Sequence, residues 1–196
     1  MDTQLIQING KRHGIGILKF WAWQSRAFSS GANFIVMGWL MFYATDTLGM
    51  PVVLVGTLLM VSRIVDAFFN LPIGLLIDRT QTKLGKARPY ELAIIGMWFF
   101  TWMLFSMPGG ASLLVQSIWF VAFYTLSSSI CGALLNSGGM AYVIRVFPTD
   151  EQRVRLASLG GFVGMVFGIC ISIFFPVLVN NFATSPDRWS QIVLIL

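Results

Sequence analysis

From Leu156 to Val179 the sequence carries no charged side chain. At 1.5 Å rise per helical residue that stretch covers about 36 Å, more than the roughly 30 Å hydrocarbon core of a bilayer. Comparable apolar runs occupy residues 20–44, 52–77, 92–107 and 113–143, and a sixth begins at Trp189 and reaches Leu196 incomplete. Between them lie turn-forming stretches: Thr45 to Pro51, Asp78 to Pro89, Pro108-Gly109-Gly110, Pro148 to Arg155 and Asn180 to Arg188. The 196 residues are 56% hydrophobic and 11% charged, where a soluble domain carries about 25% charged residues. A soluble enzyme, a disordered tail and a nucleic-acid-binding domain are excluded. The expected fold is an all-α membrane protein, one transmembrane bundle over residues 1–196 with five complete spans and the start of a sixth.

The net charge is +5, and its placement is more informative than its size. Lys11, Arg12, Lys19, Arg79, Lys83, Lys86, Arg88, Arg145, Arg153 and Arg155 fall before the first span or after the second and fourth; the loops after the first, third and fifth hold Arg188 alone. Ten against one predicts a cytoplasmic N-terminus in a multi-pass protein of the cytoplasmic (inner) membrane. Residues 1–19 lack the continuous apolar region of a cleavable signal peptide. Trp39, Tyr43, Tyr90 and Trp189 lie near run ends, where interfacial aromatic belts are expected. Cys131 and Cys170 lie inside apolar runs and read as small buried hydrophobes.

Charged and polar residues within spans are costly and therefore informative. Arg63, Asp66 and Asn70, spaced by three and four, share one helical face. A mid-span carboxylate is an oxygen ligand for a monovalent cation or a proton acceptor, and Asn70 adds a neutral carbonyl; alternatively, Arg63 and Asp66 form a structural ion pair. Ser25, Arg26, Ser29 and Asn33 make a second polar stripe on the first span, lining the same cavity unless Arg26 snorkels to the interface. Asn136 and Ser137 on the fourth span are a weaker signal, since amides and hydroxyls often bond only across helices. Gly160, Gly164, Gly168 and Ser172 repeat small residues every four positions, a groove for a closely approaching helix. His13 alone builds no metal site, no Walker loop is present, and Gly14-Ile15-Gly16 is too short for a dinucleotide fingerprint. No catalytic set is available, so no enzyme and no cofactor beyond a coupling cation is expected.

The loop from Gly74 through Asp78-Arg79-Thr80 to Gly85-Lys86-Ala87-Arg88-Pro89-Tyr90 resembles the loop between second and third spans of major-facilitator transporters. Its form is that of the glycoside–pentoside–hexuronide:cation symporters. Tyr43-Ala44-Thr45-Asp46, Val55-Gly56-Thr57-Leu58 and Arg63-Ile64-Val65-Asp66-Ala67 upstream agree, covering about 50 residues. The resemblance implies the N-terminal six-helix half of a twelve-helix alternating-access transporter, with sugar and Na⁺ or H⁺ bound near the midplane between halves. Asp66 and Asn70 then fall at the cation site. Arg26, Ser29, Ser30, Asn33, Arg63, Asn136 and Met140 fall at the substrate cavity, and Gly74, Asp78, Arg79, Gly85, Lys86 and Arg88 in the cytoplasmic loop motif.

Departures from melibiose-permease-like members accompany these matches. Asn70 replaces an acid, Ser29-Ser30 a Lys-Asp pair, Asn136 and Met140 an Asp and a Trp, and Gly160 lies where a fifth-span Arg is usual. The implied partners are a sugar or glycoside, the lipid bilayer and a C-terminal transporter half, covalent or separate, docking on the Gly160 stripe; no nucleic acid is expected. The alternative is a truncated or non-transporting descendant.

Overall fold

A computed structural model of the chain describes residues 16–79, 92–182 and 185–195, and among these no strand occurs. Helix α1 (Ile17–Gly38) continues through the short α2 (Leu40–Phe42) into a π-helical turn, Tyr43–Thr47. Gly49 then takes φ +70°, the left-handed region that glycine enters without penalty, and reverses the chain. Helix α3 (Val52–Arg79) descends and α4 (Ala93–Leu104) returns. Next, α5 (Leu113–Tyr124), a π-helical segment (Thr125–Cys131) and α6 (Gly132–Val146) form one rod, followed by α7 (Asp150–Phe182) and α8 (Pro186–Ile195). Gly85, Lys86 and Arg88 of the loop motif lie outside the described residues, as does Tyr90. Gly74, Asp78 and Arg79 continue the backbone of α3.

Among the described residues, four stretches are long and apolar enough to cross a bilayer: Ile17–Thr47, Val52–Phe69, Leu113–Asn136 and Asp150–Phe182. Ala93–Leu104 is a shorter apolar helix. Helices are the natural outcome for such sequences, because lipid offers backbone amides no partner and a helix satisfies them internally. Where the chain leaves the apolar stretch, local chemistry takes over. Gln152 N–H donates to Thr149 Oγ1 at 3.3 Å, so Thr149 caps α7, and Asp150 and Glu151 in its first turn complement the helix dipole. This start falls within the stretch read from sequence as a connecting loop. Arg153 fixes the preceding turn, donating to Phe147 O at 2.9 Å and Pro148 O at 3.0 Å.

The main core gathers at one end of the bundle. Tyr43, Phe105 and Trp189, all fully buried, pack with ring centroids 5.0 to 5.8 Å apart. This corrects the assignment of Tyr43 and Trp189 to interfacial belts. Nearness to a run end is a one-dimensional signal, and α8 turns Trp189 inward between α2, the following turn and the end of α4.

A second correction concerns the small-residue stripe. Gln24 on α1, itself buried, donates its amide to Gly160 O at 3.1 Å, and a Cβ built on Gly160 would stand 3.0 Å from Gln24 Oε1. At Gly164 the corresponding gap to Gln24 Nε2 is 3.5 Å. Phe28 stacks on Phe167 at 4.2 Å beside them. These two glycines therefore admit α1 of the same bundle rather than waiting for another half. Gly168 has open space at its Cβ position and Ser172 is exposed.

Candidate functional site

A cavity of about 530 Å³ opens between α1, α3 and the α5–α6 rod. Ser30, Asn33, Arg63, Ser127, Ser128 and Asn136 give it polar groups, while Phe34, Met37, Met41 and Leu59 give it apolar ones. Mixed walls of this kind suit a ligand with hydroxyl edges and hydrocarbon faces. Four residues expected there from sequence line it: Ser30, Asn33, Arg63 and Asn136. Two do not have that placement. Ser29 Oγ accepts from Trp98 Nε1 at 2.7 Å, which ties α1 to α4, and Ser29 does not line the cavity. Arg26 turns to α6, where its guanidinium bonds Leu135 O, lies 4.8 Å from the Trp23 ring centroid and occupies the space beside Gly139. It does not line the cavity, so its expected membership, like that of Ser29, is corrected. Met140 continues the backbone of α6.

Asp66 lies next to the cavity rather than on its wall. Its Oδ2 faces Arg63 Nη1 at 3.4 Å, and its Oδ1 accepts a hydrogen bond from Ser129 of the π-helical segment. Asp66 is 13% exposed and Arg63 67%; the carboxylate is enclosed while the guanidinium reaches into the opening, 5.9 Å above the Tyr124 ring. Of the two alternatives for this pair, the ion pair is the one present in the geometry, with its cationic member facing the cavity. Asn70 lies one turn further along the α3 backbone.

Behind the wall, a buried hydroxyl chain joins three helices. Asn33 Nδ2 donates to Thr101 Oγ1 at 2.8 Å; Thr101 and Ser127 hydroxyls share a hydrogen bond of 2.7 Å; and both hydroxyls reach Met97 O. Thr101, Ser127, Ser128, Ser129 and Tyr124 were not singled out from sequence. The three consecutive serines were a usable signal, but their directions were not, because a π-helical segment shifts the phase by which a helical face is counted.

A sequence model of the family described as MFS/sugar transport protein matches residues 29–196. The chain belongs to that family. It resembles the isoprimeverose transporter of Lactiplantibacillus pentosus, 30% identical over 172 residues, 83% of this chain and 34% of the relative. The glucuronide carrier protein homolog of Escherichia coli is 26% identical over 168 residues, again 83% and 34%. A 57-residue stretch is 46% identical to the inner membrane symporter YicJ of the same organism, covering 29% of this chain and 12% of that one. The chain thus spans about a third of the length of the relatives it matches most extensively. It is a multi-pass membrane protein of a major-facilitator sugar-transport family, a transporter family rather than an enzyme family.

Proposed function

We propose that this chain is the N-terminal portion of a cation-coupled sugar or glycoside symporter working by alternating access. The observation that carries the reading is the mixed cavity with an enclosed carboxylate at its edge: Ser30, Asn33, Ser128 and Asn136 present hydroxyls and amides, and Asp66 lies a helical turn from Arg63. Sugars are recognised by such groups, and a carboxylate at membrane depth is costly to keep unless it serves a cation or proton. The relatives' names, an isoprimeverose transporter and a glucuronide carrier homolog, support a glycoside as substrate. Asp66 and Asn70 hold the coupling cation, Na⁺ or H⁺; the cavity residues hold the sugar; a C-terminal half closes the other wall; and the N-terminus is cytoplasmic in the inner membrane.

The test is uptake by cells expressing the full gene product that bears this chain. Radiolabelled isoprimeverose and a glucuronide should accumulate against a gradient, and the accumulation should collapse when the Na⁺ gradient or the proton gradient is removed. Asp66→Asn should abolish accumulation with expression intact, and the double variant Arg63→Gln with Asp66→Asn controls for an unpaired charge. Unchanged accumulation in Asp66→Asn removes the cation role; no uptake of any glycoside favours the non-transporting alternative. Single cysteines at Thr82 and Thr184 check orientation: an impermeant reagent should label only the second from outside.

A further inference from the structure

Arg188 is the one basic residue in the loops after the first, third and fifth spans. Basic residues gather at the other end of the spans, so its place calls for a local reason. In the structure it lines a second cleft, of about 190 Å³, between the end of α7 and α8. Leu178 and Phe182 of α7 form one wall. Arg188, Gln191, Ile192 and Ile195, spaced i, i+3, i+4 and i+7 on α8, form the other. Arg188 is exposed, and among the described residues its side chain enters no hydrogen bond or ion pair. We propose that this cleft holds one acyl chain of an anionic phospholipid from the surrounding bilayer, with the lipid phosphate on Arg188.

Size and chemistry decide the occupant. The cleft has less than half the volume of the central cavity, and it falls below the roughly 300 to 1,000 Å³ that encloses a drug-sized ligand. Its described lining offers neither a carboxylate nor a hydroxyl, so a slender hydrocarbon chain fits where a sugar or a metal cation does not. The order of its groups is that of a phospholipid. Arg188 lies on the first turn of α8, just past the end of the apolar α7, where the chain leaves the membrane. Ile195 lies about 10 Å further along the helix axis, towards the membrane interior. Ile192 is buried and makes the floor, while Phe182 and Ile195 are exposed at the sides; an acyl chain enters from the lipid without leaving it. A guanidinium pairs with phosphate through two parallel hydrogen bonds and is weakly hydrated, which suits it to a headgroup at the water boundary. A free anion would gain nothing from the apolar walls.

The experiment titrates the purified, delipidated full gene product with phosphatidylglycerol or with zwitterionic phosphatidylcholine and counts bound lipid by native mass spectrometry. The parent should hold one phosphatidylglycerol about fivefold more tightly than phosphatidylcholine, the worth of one basic side chain near an anionic surface. Arg188→Gln should remove that preference, and Ile195→Trp, whose ring fills the cleft, should weaken both lipids. Arg155→Gln takes away an exposed cation near the opposite end of α7 and should leave the preference at its parental value. Equal losses in Arg188→Gln and Arg155→Gln show a general attraction of anionic lipid to a basic protein and overturn the inference. A parental preference in Arg188→Gln overturns it too, leaving Arg188 snorkelling to water. Parental binding in Ile195→Trp overturns the acyl-chain site. A parent that holds no lipid, because a later segment of the chain or a second copy covers the cleft, overturns the proposal as a whole. If Ile195→Trp fails to insert, the comparison of Arg188→Gln with Arg155→Gln decides alone.

Discussion

The two ends of this bundle are held by different chemistry. At one end Tyr43, Phe105 and Trp189 interlock ring on ring, with Phe42, Trp39 and Phe175 around them. Towards the other, polar contacts join the helices, Asn33 to Thr101, Ser129 to Asp66, Gln24 to Gly160 and Arg26 to Leu135, beside two isolated ring stacks, Phe28 on Phe167 and Trp23 on Tyr142. Inside a bilayer apolar side chains gain little by leaving lipid, so packing and interhelical hydrogen bonds are the available adhesives. Rings give area and a fixed shape; hydrogen bonds can exchange partners without losing contact. The cavity lies where the second adhesive prevails. On the proposed alternating-access function, one region has to stay rigid while another rearranges, and the two adhesives suit those two tasks.

The comparison is tested most severely at Trp189. Trp189→Ala should cost about 3 kcal/mol or more, the range for deleting a fully buried large aromatic, read as a lowered unfolding midpoint in detergent. The indole nitrogen has no hydrogen-bond partner among the described residues, so Trp189→Phe should cost well under half as much. Equal losses in the two variants would mean that the nitrogen, not the ring area, holds this end.

Gly164→Leu should come next, at about 2 kcal/mol, as overpacking does. With Gln24 Nε2 at 3.5 Å from a modest Cβ, a Leu holds α1 and α7 apart within this bundle. The loss should appear in the protein by itself, as a lowered midpoint. A midpoint at the parental value, with impaired association to a C-terminal half, would return the stripe to an inter-half role.

At the polar end, Thr101→Val should cost about 1 to 1.5 kcal/mol, since interhelical hydrogen bonds in membranes are worth about 0.6 kcal/mol on average and up to about 1.7. It leaves the volume nearly unchanged but deprives Asn33 and Ser127 of their shared partner. Both line the cavity, so a raised KM for glycoside uptake should accompany the modest loss of stability. A stability loss with KM unchanged would make the chain a structural tie only.

What could be read from sequence, and what could not, divides along the same line. The all-helical, membrane-spanning class follows from composition, and the face shared by Arg63 and Asp66 follows from spacing, so both are legible one helix at a time. The family resemblance carried by residues 43–90 was legible too. Ser129 was not, because which hydroxyl of Ser127-Ser128-Ser129 meets Asp66 depends on the π-helical phase and on how the fourth span is rotated against α3. Nor was the burial of Trp189, or the pairing of Gln24 with Gly160 across 136 positions of sequence. Each of these is a contact between helices, and helical periodicity says which face a residue shares, never which helix comes to meet it.

Gly139 gives the smallest effect and the sharpest test of how a polar contact is accommodated. A Cβ on Gly139 would lie 2.6 Å from both terminal nitrogens of Arg26, far inside van der Waals contact. The intruded atoms are the far end of a long side chain, so the guanidinium can withdraw, and Gly139→Ala should cost no more than about 1 kcal/mol. Withdrawal takes it off the Leu135 carbonyl and away from the Trp23 ring, which itself stacks on Tyr142 at 5.7 Å. Those contacts join α1 to α6, so the cost should vanish once the side chain is gone. In an Arg26→Ala background, Gly139→Ala should therefore be neutral, with a coupling energy of about 0.5 to 1 kcal/mol in the double-mutant cycle. The same loss in both backgrounds would show that the glycine is needed for the helix itself, and that Arg26 merely fills space it did not require.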